Sequence, residues 1–163
     1  MQIRPMLAED IATVAAMLRR LAIAFIVHDS RPEQASTFLR QNDSEGIANY
    51  VAQGFDYHVA EIDGVIAGFI GMRARQHVFH LFVDSPWQGR GVARRLWQHA
   101  RTEAIAAGAA APFTVNASNY AAPFTVNASN YAVPAYHRLG FVRTAPMMEK
   151  NGIRFNPMQW DVN

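Results

Sequence analysis

The sequence predicts an α/β domain built on a mixed sheet, and three observations carry that reading. Near the start, Ile11, Val14, Leu18, Leu21 and Phe25 recur at helical spacing, one apolar face of an amphipathic helix. Farther on, two β-rich stretches flank Asp63-Gly64, a dipeptide that favours a primed hairpin turn. Beyond them, an apolar run from Val78 to Val83 leads through a glycine-containing turn straight into a helical pattern.

The elements follow in order. Ile3-Arg4-Pro5 reads as a short first strand, ahead of the helix through Phe25. A second helix is expected from Glu33 to Arg40, and a third from Asp43 as N-cap to Gly54 as terminator, with Ile47, Tyr50 and Val51 facing inward. The hairpin runs from Phe55 to Ile62 and from Val65 to Met72. The run Val78, Phe79, Leu81, Phe82, Val83 is continuous rather than alternating, which suits a strand covered on both faces at the centre of the sheet. Gln88-Gly89-Arg90-Gly91 then opens a helix from Val92 to Ala107, stopped by Gly108. A Phe-Thr-Val strand, a short helix from Ala132 to Leu139, a strand from Phe141, the turn Asn151-Gly152 and a last strand through Trp160 complete the chain.

Composition narrows the function. The chain has 163 residues, 50% of them hydrophobic, which fits one domain with a sizeable core. No stretch approaches the roughly 20 apolar residues of a membrane span, and no basic-then-apolar leader stands at the N-terminus. A cytoplasmic protein with no membrane partner is expected. Without cysteine there is no disulfide, thiolate metal site or cysteine acyl-enzyme, and no metal is expected. The Asn-Ala-Ser triplets at Asn116 and Asn127 match a glycosylation pattern that has no consequence without a secretory signal. A net charge of +2 is too mild for a phosphate-tracking surface, so no nucleic-acid partner is expected. The cations are nevertheless local: Arg90, Arg94 and Arg95 surround the glycine turn, as a polyphosphate site or a solvated helix face would have them.

Unpaired N–H groups at a helix start sit at the positive end of its dipole, so a glycine-relieved turn there can cradle phosphate oxygens. A Gly-x-Gly turn also occurs where elements simply pack tightly. No Gly-Lys-Ser/Thr follows it, against a P-loop, and the loop succeeds a hairpin rather than opening a dinucleotide-binding unit. Read together, two segments are more specific. Gln88-x-x-Gly91-x-Ala93 resembles the acetyl-CoA signature of the GNAT superfamily of N-acetyltransferases. Asn130-Tyr131-Ala132-Val133-Pro134-Ala135-Tyr136-His137-Arg138-Leu139-Gly140-Phe141 resembles that superfamily's later helix, with a tyrosine shortly before Gly-Phe. The order of elements matches over nearly the whole chain.

The resemblance implies a single domain over residues 1–163, with a mostly antiparallel central sheet flanked by helices, and an enzyme that moves an acetyl group from acetyl-CoA to an amine by direct attack. It implies that the backbone of Leu81, Phe82 and Val83 pairs with the pantetheine. Gln88, Gly89, Arg90, Gly91, Val92, Ala93 and Arg94 would hold the pyrophosphate, and Asn127 and Asn130 would lie near the cofactor if the second copy of an eleven-residue repeat, Ala122 to Ala132, forms the strand. Tyr136 would protonate the departing thiolate, its other reading being a buried aromatic. His77 stands where some members carry a catalytic glutamate, and either this histidine or a water chain would take the amine's proton. His28, Glu33 and Tyr50 lie in segments that usually wall the acceptor site, for a small-molecule amine or a peptide N-terminus. A catalytically weak acetyl-CoA-binding sensor or interaction module is the competing reading.

One oddity remains: Ala111 to Ala121 is repeated without change as Ala122 to Ala132. Eleven is odd, so one continuous strand through both copies would send equivalent side chains to opposite faces, and Pro123 would interrupt its ladder. One copy should leave the sheet. The second copy is favoured as the strand; a bulge, or a strand exchanged within a homodimer, stays open as the fate of the extra copy.

Overall fold

The computed structural model describes residues 1–28, 30–108 and 124–160. The first copy of the repeat lies outside the described residues. Eight strands, β1 (Gln2–Pro5), β2 (Asp56–Ile62), β3 (Val65–Arg73), β4 (His77–Val83), β5 (Phe124–Ala128), β6 (Val142–Arg143), β7 (Met148–Lys150) and β8 (Ile153–Trp160), form the described sheet. Its order is β1-β2-β3-β4-β5-β8-β6, with β7 also on β8. Every pairing is antiparallel except β4 with β5. Among the described residues five α-helices accompany it: α1 (Ile11–Phe25), α2 (Pro32–Gln41), α3 (Ser44–Ala52), α4 (Val92–Ala106) and α5 (Val133–Arg138).

The two faces of the sheet carry separate cores. On one, α1 and Ile47 of α3 pack on Val59 and Phe69; on the other, Leu96, Trp97 and Ala100 of α4 meet Val78, Phe124, Val126 and Met158. The Asp63-Gly64 turn takes the primed form that the sequence predicts, with positive φ at both residues, and Asn151 and Gly152 at the expected second turn are likewise at positive φ. Asp43 caps α3 by accepting from Gly46 N at 2.9 Å. The inward face of α3 is narrower than the sequence predicts: Ile47 is fully buried, but Val51 is 42% exposed.

The continuous apolar run of β4 has a local cause. Gly71 pairs with His80 and Met72 with Val78, so Phe79 is the extra residue of a bulge. The bulge resets the alternation. Val78 and Leu81 therefore face the α4 core, whereas His80 and Phe82 face the α1 core.

A buried chain of hydrogen bonds ties α2 to the sheet. Asn42 Nδ2 donates to Phe38 O at 2.9 Å, which leaves Oδ1 to accept from His80 Nε2 at 2.9 Å. His80 Nδ1 must then accept from Tyr57 Oη, 2.8 Å away. Burial drops the His80 imidazole to about 3, so it stays neutral in this chain.

Candidate functional site

The site begins where β4 and β5 part. They are in register only at His77 with Thr125 and Val78 with Val126. Beyond those rungs β5 continues to Ala128 along β8, and β4 continues to Val83 along β3. A gap opens there between the two strands, and among the described residues nothing pairs with the β4 edge that faces it. Asp84 N donates to Ala67 O at 2.9 Å. Because alternate residues of an antiparallel pair turn their amides to the partner, Phe82 and Asp84 face β3, whereas Leu81 and Val83 face the gap. Of the three β4 residues the sequence nominates, two can thus offer backbone bonds there, and Phe82 contributes a side chain to the opposite core.

At the mouth of the gap, a short 3₁₀ turn over Ser85–Trp87 leads into Gln88, Gly89, Arg90 and Gly91. Gly91 is the N-cap of α4 in the left-handed region at φ 80, and Gly89 has φ 73. A Cβ at either glycine would meet no atom within 4 Å, so both border open space rather than a packed neighbour. That answers the packing alternative. Val92 is buried beneath the turn and anchors it, while Arg90 lies over the Trp87 ring at 5.3 Å. Arg20 of α1 bonds Asp84 at 2.7 Å and steadies the approach to the loop.

Tyr136 projects from α5 into the α4-side core, the same core that Leu81, Val83 and Ala128 join, and is 6% exposed. Its ring meets Phe141 edge-on at 5.4 Å. Among the described residues its hydroxyl has no hydrogen-bond partner. Burial raises its pKa well above that of an ordinary phenol, so it keeps its proton. Asn130 accepts from Asn156 Nδ2 at 2.8 Å, and the same amide donates to Ala128 O at 3.2 Å; this fixes the turn between β5 and α5. Asn127 is exposed at the gap end of β5.

His77 stands at the closed end of the gap, its Nδ1 2.8 Å from Thr125 Oγ1. Since Val78 and Val126 face the α4 core, the pleat puts His77 and Thr125 on the other face from Tyr136. Burial, with Arg73 nearby, lowers its imidazole to about 4. Tyr50 reaches the same face of β4, edge-on to Phe79 at 4.8 Å, whereas His28 and Glu33 are exposed.

Two groups escape a reading of the sequence. Thr125 fixes His77, and Tyr131 stacks flat on Phe25, with ring centroids 4.1 Å apart, while its hydroxyl donates to Gln88 Oε1 at 3.3 Å. Tyr131 adjoins the nominated Asn130, but its partner is 43 positions away in the chain.

Known proteins share this fold. The sequence matches the family described as an acetyltransferase (GNAT) domain over residues 26–124 and again over 123–162. No curated protein matches the sequence. Among solved structures, a GCN5-related N-acetyltransferase from Rhodopseudomonas palustris is 24% identical with a TM-score of 0.76, covering 99% of this chain and 95% of that one. The PaiA N-acetyltransferase from Thermoplasma acidophilum, in complex with coenzyme A, is 15% identical with a TM-score of 0.74, over 99% of this chain and 98% of that one. YncA from Salmonella typhimurium, a putative acetyltransferase with its cofactor acetyl-CoA, is 21% identical with a TM-score of 0.65, over 100% of this chain and 94% of that one.

Proposed function

Because the chain belongs to the GNAT acetyltransferase family, we propose that it moves an acetyl group from acetyl-CoA to a primary amine by direct attack, with Tyr136 as general acid. The observation that carries this reading is the gap itself. Among the described residues it has an unpaired strand edge on one side, glycine-relieved helix amides at its mouth and, in the α4-side core, a buried phenol without a hydrogen-bond partner. These features fit acetyl-CoA part by part. The amides from Gly89 to Ala93, at the positive end of α4, suit the pyrophosphate, with Arg90 and Arg94 adding charge. Leu81 and Val83 suit the pantetheine amides as an added strand, and Leu81 N–H would polarise the thioester carbonyl.

Bound acetyl-CoA supplies the acyl group and a thiolate leaving group. As the amine nitrogen bonds to the carbonyl carbon and the carbon–sulfur bond breaks, Tyr136 gives its proton to the sulfur. A free phenolate is disfavoured in this apolar setting, so donation is coupled to loss of the amine's surplus proton. His77, on the opposite face, is neutral at pH 7 and can receive that proton. It holds a proton weakly, which suits passing it on to water, and a proton taken up from solvent restores the Tyr136 phenol so that no phenolate remains.

The roof of the acceptor side supports a slender acceptor. Ser30 Oγ donates to Gly152 O at 3.1 Å, and a Cβ at Gly152 would overlap the Gln34 carboxamide. The terminal hairpin is thereby held against the start of α2, and a free amine or a peptide N-terminus passes more easily than the flank of a folded protein. The test is twofold. Acetyl-CoA should raise the melting temperature where NADH and ATP do not, stabilising the fold by about 2.7 kcal/mol at a hundredfold excess over Kd. A screen of amines and peptides for thiol release should then find an acceptor; binding without turnover across the screen would favour a sensor.

A further inference from the structure

Gln88 makes two bonds that together cross the mouth of the gap. Its Nε2 donates to Val83 O at 2.9 Å, on the β4 side. Its Oε1 accepts from Tyr131 Oη at 3.3 Å, on the side of the turn after β5. Both directions are fixed, since the backbone carbonyl can only accept and the phenol then meets the amide oxygen. Tyr131 is 55% exposed, yet its ring is held parallel to Phe25 at 14°, so the hydroxyl is presented in one place. The carbonyl that Gln88 covers is one of the two residues' groups that β4 turns into the gap.

We propose that Tyr131 is a further positioning residue for the acetyl-CoA site: it holds the Gln88 carboxamide as a stand-in for a pantetheine amide on Val83. This rests on the acetyltransferase reading. A pantetheine amide N–H and the Gln88 amide seek the same acceptor at the same strand edge, so seating the ligand displaces the carboxamide, and the Tyr131 bond resists that displacement. Without it the exchange is easier. The pyrophosphate loop lies outside the clasp, so a ligand that fills the loop but lacks pantetheine is indifferent to it.

The experiment compares coenzyme A with adenosine 3′,5′-bisphosphate, which lacks the pantetheine arm, by calorimetry on the full chain. Tyr131→Phe keeps the stack on Phe25 and loses the hydroxyl. It should tighten coenzyme A by about two- to tenfold, the range for one neutral hydrogen bond, and leave the bisphosphate unchanged. Gln88→Leu frees the same carbonyl and should shift the two ligands apart in the same direction. Unchanged or weaker coenzyme A binding in Tyr131→Phe, or an equal change for both ligands, overturns the proposal. If wild-type protein binds neither ligand, the acetyltransferase reading falls first and this proposal falls with it.

Discussion

Val126→Asp tests the assignment of β5 to the second copy of the repeat. Val126 is 3% exposed, stands opposite Val78 on β4 and Met158 on β8, and packs among the α4-side core. Removing its burial loses about 1.5–3 kcal/mol. An unpaired carboxylate in its place adds a desolvation penalty of several kcal/mol, relieved only by taking up a proton. The sum is about 5 kcal/mol or more, comparable with the roughly 5–15 kcal/mol that holds a domain together. Urea unfolding followed by tryptophan fluorescence suits the measurement, because Trp97 lies edge-on to Phe124 at 5.2 Å. Val126→Asp should unfold most of the protein without denaturant, and Val115→Asp should be mild. The opposite ranking would show that the first copy supplies the strand. A wild-type midpoint for Val126→Asp in the full chain, with collapse when one copy is also deleted, would mean that the copies exchange, and it would equally refute a fixed assignment.

Tyr136→Phe should lower turnover about 10²- to 10⁴-fold, the range for one acid–base group, with coenzyme A affinity near wild type; full activity with a proven acceptor would make Tyr136 a packing residue. His77→Ala should slow turnover and remove an acid limb near pH 4 from the rate profile, and Thr125→Val should weaken that limb by releasing Nδ1; an unchanged profile in both would exclude His77 as proton acceptor. His80 bears on stability against pH. Its folded pKa of about 3 lies below the unfolded value near 6.5, so the unfolded state binds the extra proton between those limits and stability falls as pH drops through that window. The slope approaches about 1.4 kcal/mol per pH unit. His80→Gln should flatten it, and an equal slope in the variant would assign the loss to other groups.

Much of the fold was legible because it rests on local rules. Asp63-Gly64 and Asn151-Gly152 name their turns through conformations that few residues tolerate, and Asp43 names a helix start through its own side chain. The glycine loop was legible for the same reason, since Gly91 both caps α4 and clears its approach. What escaped depends on pairing between distant segments. β4 is covered on both faces at the centre of the sheet, as its apolar run implies, but the bulge at Phe79 comes from the register with β3 and nothing in that run marks it. The orientation of Leu81, Phe82 and Val83 followed only once Asp84 was seen bonded to Ala67. His77 was nominated by position, but the neighbour that fixes its ring, Thr125, is 48 residues away.

The parallel pairing of β4 and β5 also explains how the chain can take up an eleven-residue duplication without lengthening the turn at the candidate site. Parallel strands start at the same end of a sheet, and Thr125 lies beside His77 at the first rung of β4. The glycine loop, Gln88, Tyr131 and the open mouth of the gap all lie past the last residues of these strands, at the other end. Helix α4 runs from that mouth back to its terminus at Ala106, and the described chain resumes at Phe124. Residues 109–123 therefore join the described structure at the end remote from the mouth. Added length in a connection costs little, about 0.6 kcal/mol for each doubling in a flexible loop. The same eleven residues placed after β5 would instead enter between Ala128 and Tyr136, where Asn130 bonds Asn156 and Tyr131 stacks on Phe25. The strand assignment thus decides more than core packing: with the second copy in the sheet, the extra residues leave the turn that carries Tyr131 and Tyr136 at its single-copy length.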